Sequence, residues 1–145
     1  MSDNLVSILE KNAIIISKFV NFNFLKNKKI LITGGLGLIG INMTMSLIYE
    51  NKIKNKNIKI YISTLSIPDK WLLNYLKKNS VNLLVGDITN DDILKRIPKV
   101  DFIIHAAGYG QPKKFLKNSL NTYLINSKTT TELFNKIDKK GTFLH

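Results

Sequence analysis

The sequence predicts an α/β protein built as a doubly wound parallel sheet. Three observations lead there. From Lys29 onward, short apolar runs alternate with longer stretches of helical periodicity. The runs are apolar throughout rather than at every second residue, as strands covered on both faces are. The first run ends in clustered glycines that open a helix, the punctuation of a strand-to-helix turn.

Residues 3 to 20 read as an amphipathic helix. Leu5, Leu9, Ile16 and Val20 share one face, with Glu10 and Lys11 outside. We take 1–27 as a helical leader and 28–145 as the main domain. The leader's apolar face is a packing surface, with an oligomer contact as the alternative. Lys29 to Thr33 is the first strand, and Gly37 to Glu50 the first crossover helix. The lysine-rich run from Lys52 to Lys59 reads as a solvated loop. Ile58 to Ile62 is the second strand, and Asp69 to Lys78 a helix starting after Pro68. Val81 to Val85 is the third strand, followed by a short helix over Asp91 to Arg96. Val100 to His105 is the fourth. A long helix is expected from Ser119 to Ile137. Thr142 to Leu144 begins a fifth strand, so the sheet is expected to be truncated there. Right-handed crossovers then require the strand order 3-2-1-4-5, with a ligand crevice beside strands one and four. The thinly covered edge predicts aggregation or a homodimer.

Composition narrows the chemistry. The chain has 145 residues, 44% of them hydrophobic, enough for one domain with a core. It has no cysteine, and His105 and His145 have no metal-ligand spacing, so no metal site is expected. The net charge is +12, yet Arg96 is the only arginine. Specific nucleic-acid recognition favours arginine. The lysines are scattered among Asn and Ile, residues that share A/T-rich codons, so genome composition is the plainer source. No signal peptide or membrane span is expected, which predicts a cytoplasmic protein with no specific nucleic-acid or membrane partner.

The strongest local signal is Thr33-Gly-Gly-Leu-Gly-Leu-Ile-Gly40. Gly34 allows a tight turn. Gly37 lets backbone approach a pyrophosphate, and Gly40 lets helix and strand pack closely. The helix start at Leu38 and Ile39 offers free N–H groups and the positive dipole end to phosphates. This TGGLGLIG segment resembles the TGxxGxxG fingerprint of the extended short-chain dehydrogenases, the NAD-dependent epimerase/dehydratase family with its Rossmann-like sheet. Two further segments arrive in the family's order. Val85-Gly-Asp-Ile-Thr89 resembles its GDIT segment, which implies that Asp87 and Ile88 hold adenine; the alternative is that Asp87 caps the next helix. His105-Ala-Ala-Gly108 resembles its HxAA segment, which implies that Ala106, Ala107 and Gly108 leave room for ribose and phosphates. His105 itself reads as a hydrogen-bonded structural histidine. The stretch after it, Tyr109 to Phe115, resembles sugar-nucleotide epimerases, dehydratases and decarboxylases. Ser127, Thr130 and Thr131 are expected to let the next helix lie close to the sheet.

The family's catalytic pair is Tyr-x-x-x-Lys on one helical face. Tyr109 and Lys113 match it literally, but Pro112 interrupts them and they follow strand four rather than strand five. No catalytic residue is therefore assigned. The resemblance implies the NAD or NADP-binding portion of a nucleotide-sugar epimerase or dehydratase, with a nucleotide sugar as substrate of the intact enzyme. A non-catalytic dinucleotide-binding or regulatory module is the alternative. At the end of strand two no carboxylate awaits a ribose diol. Ser63 or Thr64 can bond either a diol or a 2′-phosphate, with Lys70 near, so NAD and NADP both remain.

Overall fold

A computed structural model describes residues 2–145. Five strands, β1 (Lys29–Thr33), β2 (Lys59–Thr64), β3 (Asn82–Val85), β4 (Val100–His105) and β5 (Ile137–Leu144), form one parallel sheet in the order β3-β2-β1-β4-β5. That is the expected topology. Before β1 lie the leader helix α1 (Ser2–Phe19) and a short 3₁₀ turn; α2 (Leu38–Lys54), α3 (Lys70–Lys78) and α4 (Asp91–Arg96) make the first three crossovers. The last is made by α5 (Pro112–Lys117), α6 (Ser119–Leu124) and α7 (Thr130–Phe134).

Successive strand residues point to opposite faces, and so each face has its own core. On one, Ile30, Ile32, Ile60 and Ile62 meet Met45, Ile48 and Leu76 from α2 and α3. On the other, Leu31, Leu84 and Ile103 meet Leu94, Ile97, Ile125 and Leu133. This is why the strands lack polar alternation. Register places Thr33 beside Ser63 on one side and His105 on the other. The three chemically distinctive loops therefore leave the sheet at the same height.

Several elements differ from expectation. The face of α1 that packs is Leu9 and Ala13, both buried, while Leu5 and Val20 stay largely exposed. The helix lies across α2, and the small Ala13 permits the close approach. Helix α2 runs on through Lys52 to Lys54, because Asn55 adopts the left-handed conformation that ends helices; the expected loop is shorter.

The long helix predicted over 119–137 widens into a π turn at Ile125–Thr129 and stops at Phe134. Thr122, Asn126, Ser127 and Thr131 each bond back to a carbonyl four residues earlier, a pattern that loosens and bends helices. The residues this helix buries are Thr122, Ile125, Thr129 and Leu133. Ser127, Thr130 and Thr131, expected against the sheet, are on other faces. Strand β5 starts earlier than predicted. Ile137 pairs with Val100, a bulge absorbs the following residues, and regular pairing resumes from Thr142 to Leu144.

Candidate functional site

The glycine loop shows a division of labour. Gly34 has φ +64, and a Cβ there would lie 2.7 Å from the Ala106 carbonyl oxygen. A Cβ on Gly40 would lie 2.2 Å from the Gly34 carbonyl oxygen, inside contact distance. Its close neighbour is thus the turn itself rather than the strand. Both glycines are demanded by the fold. Gly37 is different. Its backbone is ordinary, φ −70 and ψ 173, and a Cβ would meet only the Gly34 carbonyl oxygen, at 3.2 Å. That one contact is close but short of the clashes at Gly34 and Gly40.

Gly37 is also the N-cap of α2, and no acidic residue lies in the first turn. The N–H groups of Leu38, Ile39 and Gly40 have no acceptor within the helix. They make a cradle for an anion. The side chains of Leu38 and Ile39 do not share in it. They are 87% and 64% exposed and line an apolar groove with Phe24 and Phe102. Only their backbone can serve an anion.

Beside the cradle, a cleft of about 150 Å³ is bordered by Gly34, Ser63, Asp87, Ile88, Ala107 and Gly108. Six residues from four separate segments are thus brought together. Ala106 is not among them; it pairs with Thr33 and backs Gly34. The cleft also includes Leu65, Tyr109 and Ile125, which sequence reasoning did not place there. For Ile125 the signal was available, since it shares a helical face with Thr122, Thr129 and Leu133.

Asp87 does not cap α4. The cap is Asn90, whose side chain accepts from the Asp92 N–H at 2.9 Å. Asp87 instead uses Oδ1 to accept from the Thr89 N–H and hydroxyl, at 2.9 and 2.8 Å. Its Oδ2 has no partner among the described residues. The carboxylate is held in place with one oxygen to spare, at the rim of the cleft.

His105 is buried and bonded at both ring nitrogens. The Ile125 carbonyl only accepts, so Nε2 carries the proton and donates to it at 3.1 Å. Nδ1 then accepts from the Thr33 hydroxyl at 2.6 Å. That hydroxyl accepts in turn from the Ala107 N–H at 3.1 Å. The relay fastens β1, the loop after β4 and the π turn to one another, with Thr33 as the member that sequence reasoning missed. Burial holds the His105 pKa below its usual value, against the opposing pull of the Ile125 carbonyl; the stacked His145 ring adds to the lowering.

A group with a depressed basic pKa binds its proton more readily once unfolded. Its stabilising contribution is complete above the unfolded pKa of about 6.5 and is lost as pH falls below it. Denaturation midpoints should therefore decline from about pH 7 to pH 5. The decline should be shallower in His105→Gln, and an equal slope in the two proteins would count against the relay.

The Tyr109 and Lys113 pair is split as expected. Tyr109 lies in the loop, and Pro112 is the first residue of α5. Among the described residues, no group of three or more His, Asp or Glu side chains converges to hold a metal. No helix there is long and apolar enough to cross a membrane.

Comparison with known proteins places this site in context. The sequence profile described as the NAD dependent epimerase/dehydratase family matches residues 30–145. An uncharacterized membrane protein of Methanocaldococcus jannaschii is 36% identical over 89 residues, covering 59% of this chain and 25% of its own. The structure of Pen from Bacillus thuringiensis superposes with a TM-score of 0.62 at 23% identity, over 78% of this chain and 34% of that one. The UDP-Glc/GlcNAc 4-epimerase of Campylobacter jejuni gives a TM-score of 0.55 at 26% identity, over 74% of this chain and 32% of its own. The chain thus spans about a third of these structures and a quarter of that relative.

Proposed function

The chain belongs to the NAD dependent epimerase/dehydratase family, and from that premise we propose that it is the NAD(P)-binding portion of a nucleotide-sugar epimerase or dehydratase. The observation that carries this reading is the glycine-lined start of α2, which bears no acidic residue and adjoins the cleft holding Asp87. Pyrophosphate takes the N–H groups of Leu38, Ile39 and Gly40. Adenine takes the free Oδ2 of Asp87 and the backbone of Ile88. The ribose lies by Ser63 and Gly34, and Ala106, Ala107 and Gly108 leave room for the rest of the cofactor. The domain is 28–145, with 1–27 as its helical leader.

In the whole protein, a bound nicotinamide cofactor would supply the hydride acceptor for oxidation at a sugar carbon, and a base would take the proton of the attached hydroxyl. None of the residues lining the cleft is assigned as that base. The substrate reading follows from the Campylobacter relative, whose name specifies UDP-sugars. The cytoplasm is the compartment where this cofactor and substrate meet. The open edge of β5 and the apolar groove beside it offer a surface for a second copy of the chain.

A non-catalytic, cofactor-binding module is the second reading, which the cleft and the helix start fit equally well. Calorimetric titration with NAD⁺ and NADP⁺ tests the shared core of both. One cofactor should bind, and Asp87→Ala should weaken it roughly tenfold, the worth of one charge-assisted hydrogen bond. Failure of both cofactors to bind the folded chain would reject the reading. Turnover of a UDP-sugar by the purified chain would reject the module alternative.

A further inference from the structure

The strands are all parallel, so their N-terminal ends share one end of the sheet, opposite the glycine loop. Helices α2, α3 and α4 carry the chain back to that end, so their last turns lie there too. The topology concentrates charge. Lys28, Lys59, Lys99 and Lys136 each stand immediately before a strand or at its first residue. The last turns of α2, α3 and α4 each add two basic residues. With the lysines of the adjoining turns, more than half of the 22 basic side chains occupy this basal end.

Little opposes them. Asp101 is taken by Lys28 at 3.0 Å, Glu50 is buried against Lys54 at 2.8 Å, and Asp92 lies 3.8 Å from Lys95. Glu10 lies 3.7 Å from Lys52, and Asp138 stands beside Lys139 and Lys140 in the β5 bulge. Lys59, Lys77 and Lys78 have no ion pair among the described residues and border a shallow recess of about 890 Å³. Codon usage would spread lysines over both ends. Helix dipoles favour the lysines in last turns but not those that precede strands. Ile53, 61% exposed, projects between Lys52 and Lys54 in the last turn of α2.

We propose that this basal end docks the protein on an anionic lipid surface. Lysine ammoniums meet headgroup phosphates, and Ile53 sits at the interface. All the basic residues of this end but Arg96 are lysines, and lysine is a strongly hydrated point charge suited to diffuse headgroup contact. Nucleic-acid readout relies instead on arginine forks and stacked aromatics. Docked this way, the glycine loop faces away from the surface and stays open to solvent. The proposal is independent of the cofactor reading.

Co-sedimentation at about 0.15 M salt tests it, with vesicles of phosphatidylcholine alone or mixed with phosphatidylglycerol. Two triple variants remove equal charge: K59E/K77E/K78E at the basal end and K113E/K114E/K117E in α5. Wild type should bind only the mixed vesicles. The basal triple should weaken that binding at least tenfold, by the worth of a lysine near an anionic surface, and the α5 triple by less than about threefold. Thermal melts and the cofactor titration confirm that both stay folded; Lys→Gln at the basal positions gives a smaller loss if the reversal unfolds the chain. No binding to mixed vesicles, or equal loss from the two triples, overturns the proposal. Tighter binding to duplex DNA than to vesicles, with the same dependence on Lys59, Lys77 and Lys78, makes nucleic acid the partner and overturns it too.

Discussion

Replacing Gly37 with Asp should leave the chain folded while removing its affinity for the dinucleotide. The backbone at Gly37 is one that any residue adopts, and an added Cβ meets only the Gly34 carbonyl oxygen, at 3.2 Å. Asp is among the best residues for the start of a helix, where its carboxylate accepts from free N–H groups and opposes the dipole. Substituting it for Gly contributes a few tenths of a kcal/mol or more. The same carboxylate would occupy the anion cradle and repel a pyrophosphate. Affinity should fall roughly a hundredfold or more, since like charges forced together cost several kcal/mol. The two readouts therefore separate: affinity is lost while the fold is kept. Calorimetry beside a thermal melt checks both, and unchanged cofactor affinity in the variant would falsify the placement of the phosphates.

Gly40→Ala should do the reverse, harming the fold itself. Its new Cβ would lie 2.2 Å from the Gly34 carbonyl oxygen and 2.7 Å from the Gly35 Cα. Both obstacles are backbone, so no side-chain rotation relieves the clash. Helix α2 must move off the turn or the turn must open. Overpacking of this kind costs about 3 kcal/mol, against a total stability of roughly 5–15 kcal/mol for a domain. The melting temperature should drop by about 10 °C. A drop of less than about 3 °C would mean that the loop yields more easily than its geometry indicates.

The division of labour among these glycines was legible in the motif's spacing, which put Gly34 in the turn, Gly37 at the open approach and Gly40 at the helix packing. What the distances add is that the neighbour of Gly40 is the turn rather than the strand. Other features were legible for a plain reason. Strands β1, β2 and β4 are buried on both faces, so their apolar runs are unbroken, and the loops after β1, β3 and β4 carry Gly34, Asp87 and Ala107. The π turn was not legible, because the Ile125 carbonyl finds its partner in His105, twenty residues away. The first half of β5 was not legible either. Asp138 to Gly141 are a bulge with no apolar pattern, tied to the sheet through Ile137. Leu38 and Ile39 were placed correctly at the helix start, but no periodicity could tell that their side chains turn away from it.

The pairing of β1 with β4 also sets a timetable for the chain as it is made. Thr33 lies beside His105, 72 positions later. Emerging from the ribosome at about 5–20 residues per second, β1 waits roughly 4–14 s before its second neighbour is synthesised. During that interval one flank of the central strand is an unpaired edge, open to any other nascent segment. A burst of chaperone engagement ending once residue 105 has cleared the exit tunnel is the cellular trace this order should leave.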